Sequence, residues 1–139
     1  MKVLMILLLI ISLNVWGDVI IINNPAIPQK KLYRYEIQSI FMLKTQYWNN
    51  GIPITPVFIS FEDPLHLLFV SSILRISPYN FNVVVHDKIQ QGDAKHVIVV
   101  KSIAEAIDVV KHVSGAVTYI LSTDATKNSD EIQIINITD

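Results

Sequence analysis

Three consecutive signatures decide the fold class: His96-Val97-Ile98-Val99-Val100, then Ser102-Ile103-Ala104-Glu105, then Ala116-Val117-Thr118-Tyr119-Ile120-Leu121. The first is a short β-branched run, which reads as a buried strand. The second is a capping box, a serine at the N-cap with a glutamate three residues on. Ile103, Ala106, Ile107 and Val110 share one face of the helix it starts, and Gly115 reads as its stop. The third is another β-branched strand. Strand, helix and strand in this order build an α/β sheet covered by helices.

Upstream of this unit, Ser60-Phe61-Glu62-Asp63-Pro64 is a second helix start. Asp63 can cap free backbone N–H groups and Pro64 suits the first helical position. Leu65, Leu68, Phe69 and Ile73 then recur on one face. Ser77-Pro78 repeats the start signal. Val83-Val84-Val85 is locally strand-like, but the cap favours a helix to about Ile89, with Gly92 ending it. Ile52 to Ser60 reads as a strand, and Pro53 and Pro56 put it at a sheet edge or leave it paired on one side only, because proline cannot donate to a ladder. Asn49-Asn50-Gly51 is a turn. Asp18 to Asn23 is the opening strand, and Pro25 and Pro28 keep the next segment extended. Leu32 to Leu43 has near-helical apolar spacing. Ile132 to Ile137 is the last strand, after a polar loop over Ser122 to Asp130. The expectation is an α/β domain with a central mixed sheet flanked by helices.

The amino terminus has a different character. Met1-Lys2 precedes an apolar run from Val3 to Leu13, broken only by Ser12, and Val15-Trp16-Gly17 offers a cleavage site. Residues 1–17 therefore read as a secretory signal peptide, with residues 18–139 as the mature domain. The apolar run is shorter than the roughly 20 residues a membrane span needs. The remaining chain, about 120 residues, is enough for one core. It contains no cysteine, which excludes disulfides, thiol chemistry and Cys-based zinc sites and fits a bacterial periplasm. Net charge is −1 and the basic residues are scattered, so nothing suggests a nucleic-acid footprint.

Four stretches together resemble a known family. They are Val19-Ile20-Ile21-Ile22-Asn23-Asn24-Pro25; Glu36-Ile37-Gln38-Ser39-Ile40-Phe41 leading through Lys44 to Trp48-Asn49-Asn50-Gly51; Ile54-Thr55-Pro56-Val57 running into Ser60; and Ser114-Gly115-Ala116-Val117-Thr118-Tyr119. The second is similar to an "E-L-x-x-I-F-x-G-K…W-x-D-G" pattern and the fourth to "P-G-A-I-G-Y". In this order they resemble the phosphate-type solute-binding proteins of bacterial ABC transporters. The chain looks like a short relative, a single lobe of a type 2 periplasmic-binding-protein-like fold. Full-length members hold an oxyanion between two lobes, with a Ser-Gly-Thr-type loop and a helix N-terminus aimed at it.

Carried onto this chain, the resemblance puts the ligand site at Ser60, Asp63, Leu65 and His66, with backbone N–H groups of Leu65 and His66 at its border. The loop departs from the family pattern. Ser60 is retained, no arginine lies within it, and Asp63 is placed to cap the N–H groups an anion would use. Glu62 and Asp63 also repel an anion, at roughly 1–4 kcal/mol per unit pair near 4 Å. The resemblance thus implies an exported, non-enzymatic, solute-binding-like protein with weak or altered binding of an oxyanion such as phosphate. A second copy or an envelope protein could complete the cleft. The alternative is a periplasmic adaptor that has lost the ligand. No cofactor is implied. His66, His86, His96 and His112 form no set with zinc-ligand spacing, and no nucleophile elbow or phosphate-binding loop is present. Tyr33, Tyr35, Tyr47, Trp48 and Phe58 are candidate partner contacts, as amphipathic aromatics suit protein interfaces. Lys30, Lys31 and Arg34 form a small basic cluster.

Overall fold

A computed structural model describes residues 17–128 and 130–139. The signal peptide read over residues 1–17 lies outside the described residues except for Gly17. In chain order the elements are β1 (Val19–Asn23), β2 (Lys31–Tyr33), α1 (Arg34–Phe41), β3 (Thr55–Ile59), α2 (Pro64–Leu68), a π-helical turn (Phe69–Leu74) and α3 (Pro78–Gln90). There follow β4 (Ile98–Val100), α4 (Ile103–His112), β5 (Ala116–Leu121), the single turn α5 (Ser122–Ala125), a 3₁₀ turn (Thr126–Asn128) and β6 (Gln133–Thr138).

The six strands form one mixed sheet in the order β2-β6-β1-β5-β3-β4. β1 runs antiparallel to both its neighbours, while the β2–β6, β5–β3 and β3–β4 pairs are parallel. Five strands therefore share one direction, and their carboxyl ends line one end of the sheet. β3 is buried along its whole length, as expected where helices cover both faces. On one face Phe58 meets the rings of Phe41, His66 and Phe81, which brings α1, α2 and α3 over the sheet. α4 packs on β5 and β3 through Ala106, Ile107 and Val110. The path from β3 out to β4 and back to β5 puts it on the opposite face if both crossovers are right-handed.

The sequence places the strand over residues 52–60 at an edge or paired on one side only; the structure places β3 inside the sheet, paired with both β4 and β5. The reason lies in the alternation of backbone direction along a strand. The Thr55 N–H donates to Gly115 O on the β5 side, so the missing N–H of Pro56 faces the β4 side. Pairing with β4 begins only at Val57, opposite Ile98. The proline sits just beyond the end of its neighbour and leaves no gap in the ladder.

Three other expectations change. Residues 31–33 are strand rather than helix, and α1 begins at Arg34. It ends in a Schellman motif, with Leu43 N–H donating to Ile40 O and Lys44 N–H to Ser39 O. Leu43 has φ 64° and occupies the position of the glycine in the "F-x-G-K" pattern. The π turn rotates the helical stripe after α2, so that Phe69, Val70 and Leu74 are buried while Leu68 is exposed. The polar segment after β5 is partly helical rather than a loop. Among the described residues no single helix is long and apolar enough to cross a membrane; Pro64–Leu74 and Pro78–Gln90 suffice only together and meet at 102°.

Gly115 does not end α4 through a left-handed conformation. The helix closes at Val113, and Gly115 does not have positive φ. Its role is close approach: a Cβ there would lie 1.8 Å from Pro53 O. The Gly115 carbonyl also accepts from Thr55 N–H and from the Trp48 indole N–H at 3.0 Å. Because the obstacle is backbone, Gly115→Ala is expected to destabilise the fold by about 2–4 kcal/mol, whereas Gly92→Ala, at φ 77° with open space around it, costs only about 1 kcal/mol. Urea unfolding of the two variants checks the difference.

Candidate functional site

β3 delivers Ser60 to the carboxyl end of the sheet. The Ser60 N–H donates to Val100 O, the last residue of β4, and the Ser60 carbonyl accepts from Asp63 N–H at 2.8 Å. This tight turn sets Asp63 in an extended conformation as the N-cap of α2. Its carboxylate accepts the Leu65 N–H at 2.9 Å, and its carbonyl accepts Leu67 N–H. Pro64 has no N–H to satisfy. Ser60 and Asp63 remain partly accessible, while the side chains of Leu65 and His66 turn inward. The four sequence-predicted residues are neighbours, but they do not present four side chains to one surface.

Two other helices that begin at this end of the sheet, α1 and α4, follow the same rule. At α1, Glu36 Oε2 accepts the Tyr33 N–H at 2.8 Å. At α4, Ser102 Oγ accepts Glu105 N–H and Glu105 Oε2 accepts Lys101 N–H. A helix N-terminus attracts anions because its N–H groups are unpaired and its dipole is positive. Here α1, α2 and α4 each bring their own carboxylate to that position. Glu62 and Asp18 add exposed negative charge to the same end. Lys101 is exposed nearby, and Arg34 is bound to Asp139 at 2.5 Å and to Ile73 O. That arginine holds the Asp139 carboxyl below its ordinary value.

His66 is the residue whose role sequence reading missed. It is fully buried, enclosed by Phe58, Phe61 and Phe81. Its Nδ1 lies 2.6 Å from Tyr119 Oη and its Nε2 lies 2.9 Å from Asn82 Oδ1. The amide oxygen of Asn82 accepts from Nε2–H, which leaves Nδ1 to accept from the Tyr119 hydroxyl. Tyr119 Oη in turn accepts the Ile59 N–H at 2.9 Å, and Asn82 Nδ2 donates to Phe61 O. One continuous chain of hydrogen bonds thus ties β3, β5, α2 and α3 together around a neutral imidazole. Burial lowers the His66 pKa below its ordinary 6.5, against smaller opposing effects of Asn82 and Asp63. Burial also raises that of the Tyr119 hydroxyl. The contact joins positions 53 residues apart, and no local pattern could have announced it.

Among the described residues no group of three or more His, Asp or Glu side chains could hold a metal ion. Tyr33 and Tyr35 are exposed and stack on each other, with ring centroids 5.6 Å apart. Trp48 and Phe58, by contrast, are core residues.

No protein-family model and no curated protein matches the chain. Solved structures do match its fold. PstS from Borrelia burgdorferi superposes with a TM-score of 0.69 at 15% identity, covering 89% of this chain and 48% of that one. An ABC-type phosphate transport receptor from Vibrio cholerae gives 0.56 at 17%, covering 89% and 48%. A phosphate-bound structure from Clostridium perfringens, described as an ABC-transporter substrate-binding protein, gives 0.59 at 16%, covering 88% and 45%. The chain spans about half the length of these proteins and has the fold of a single lobe of them. At this identity the likeness is one of fold.

Two outcomes test the buried chain. Tyr119→Phe strands the Ile59 N–H and His66 Nδ1 away from water and is expected to cost about 2–4 kcal/mol by denaturant unfolding. Because the folded pKa of His66 is depressed, the unfolded state takes up its proton first as pH falls. Stability attributable to His66 is therefore complete above pH 6.5, declines as pH drops below that value, and levels off below the folded pKa. The slope just below pH 6.5 should flatten in His66→Gln, measured by thermal unfolding from pH 8 to about pH 5, above the range in which carboxylates such as Asp139 titrate.

Proposed function

We propose that this chain is an exported, non-enzymatic, solute-binding-like module whose grip on oxyanions is weak or altered. What supports the relationship is the fold it shares with an ABC-type phosphate transport receptor along 89% of its length and with a phosphate-bound substrate-binding protein along 88%. What supports the weak binding is the one observation that carries the reading: Asp63 already occupies the α2 N-terminus that an anion would seek. Ser60, Asp63 and the backbone at Leu65 and His66 border the anion position, at the carboxyl ends of β3 and β4. That placement follows the general rule for open α/β sheets. The amino-terminal leader directs the chain to the periplasm and is removed there.

A single lobe leaves an anion open to water on one side. Closure over a ligand, as in hinged two-lobed proteins, then needs a second copy of this chain or another envelope protein. A second reading, that of an adaptor that has lost the ligand, is favoured by the exposed Tyr33–Tyr35 stack beside the α1 N-terminus. Such paired amphipathic rings suit a protein interface.

The experiment is thermal unfolding of residues 18–139 against phosphate, sulfate and molybdate. A saturable rise with one anion, about 2.7 kcal/mol at one hundred times Kd, supports the binding protein. No rise with any of them, together with a cooperative transition, supports the adaptor. The double change Glu62→Gly with Asp63→Ser removes two negative charges while keeping a short capping side chain. It should strengthen phosphate binding about tenfold or more. Unchanged binding would show that the carboxylates at the α2 N-terminus are not what limits affinity.

A further inference from the structure

At the opposite end of the sheet, where β3 and β4 begin, lies a groove of about 450 Å³ that the proposed function does not use. One wall is the segment Thr45–Tyr47, and the other is the end of α3 with the residues that lead into β4. Both walls are fixed by backbone. Thr45 N–H donates to Ser39 O and Ile54 N–H to Gln46 O, and Tyr47 bridges to Pro53. On the far side, Gly92 N–H donates to Ile89 O and Asp93 N–H to Lys88 O. These bonds give partners to the Lys88 and Ile89 carbonyls in the last turn of α3. Lys88 spans the base, donating to Met42 O at 2.7 Å with two ammonium protons left over.

The lining is divided in character. Leu43, Ile54, Pro56 and Val97 give it an apolar floor, and Lys88, Lys95 and His96 supply basic groups against the single acid Asp93. This local excess of positive charge stands out on a chain of net charge −1. Thr45, Gln46, Tyr47, Lys95 and His96 contribute polar side chains that take no hydrogen-bonding or ionic partner among the described residues. Leu43 reaches the floor from a left-handed backbone, φ 64°, a conformation costing an L-residue about 1–2 kcal/mol.

We infer that this groove is a binding site for a small organic anion with an apolar body, such as an aromatic carboxylate or an aryl phosphate. The volume falls within the range of small-molecule sites, about 300–1,000 Å³, and far exceeds what an inorganic anion fills. The body lies on Leu43, Ile54 and the Tyr47 ring, and the charged group meets Lys95, His96 and the free protons of Lys88. A second, smaller groove shares Thr45, Tyr47 and Ile54 and continues toward Tyr35 and Trp48, so the site can extend along an aromatic path. The site is independent of the Ser60 region and stands whether or not the proposed function does.

The test is titration of the protein with sodium benzoate and, separately, phenyl phosphate, followed by amide and side-chain NMR shifts. Benzyl alcohol and inorganic phosphate serve as controls for the body and the charge alone. Saturable shifts at Thr45–Tyr47 and Lys95–Val97 with one of the two anions, weaker with both controls, are expected. Lys95→Ala with His96→Ala, both exposed and so compatible with folding, should lower affinity about fivefold or more. Lys127→Ala, at an exposed lysine outside the groove, should leave it unchanged. The inference is overturned if neither anion binds in the millimolar range, if the double alanine variant binds as well as the parent, or if Lys127→Ala weakens binding as much as the double alanine variant does.

Discussion

The hydroxyl of Tyr119 is the point on which the rest of this structure depends. β3 and β5 pair over only two positions, Thr55 with Ala116 and Pro56 with Val117. Beyond these, β3 still has backbone groups facing β5 in a region closed to water. Thr118 Oγ1 donates to Val57 O at 2.9 Å, and Tyr119 Oη accepts from Ile59 N–H while lying 3.2 Å from Ile59 O. Side chains of β5 therefore replace the ladder bonds that its backbone does not make. Buried backbone groups need partners, so this substitution is what lets β3 continue inside the sheet to the point where Ser60 leaves it. His66 and Asn82 extend the same chain into α2 and α3, and so the position of the Ser60–Asp63 turn is set from the core outward.

The same arrangement explains a difference between the two ends of the sheet. At the carboxyl end the N-termini of α1, α2 and α4 are closed by Glu36, Asp63 and Glu105, so the backbone N–H groups an anion would seek there already face carboxylates. At the amino end of β3 and β4 the backbone is equally well bonded, but the side chains that rim the groove are not engaged. The unengaged polar side chains of this chain's grooves are thus gathered at the end opposite the capped helices.

The elements that were legible in the sequence are those with local causes. Ser102 and Glu105 mark the start of α4, Asp63-Pro64 that of α2, and Gly92 the end of α3; each rests on contacts within a few residues. β5 is read directly from Ala116 to Leu121. Proline in β3 misleads because its tolerance depends on where β4 begins, some forty residues later. Gly115 misleads because the same residue serves two physical ends, left-handed backbone and close approach, and only the position of Pro53 tells them apart. Leu32 and Tyr33 fit a helical spacing, but the parallel partner β6 draws them into the sheet. At the site, Ser60 and Asp63 were accessible to reasoning from capping and resemblance. The inward turn of His66 was not, because it is decided by Tyr119 and Asn82.

The order of strands has a bearing on how this chain reaches its native state. β6, residues 133–138, lies between β1 and β2, the first two strands to be synthesised. β5 likewise pairs with β1 across almost the whole chain. The amino-terminal strands therefore cannot form this sheet by themselves, since β1 pairs only with β5 and β6 and β2 only with β6. Pairings this distant in sequence slow folding. In a chain ordered this way the sheet is complete only once β6 has inserted between β1 and β2, so the earliest strand is held on both sides by the two latest.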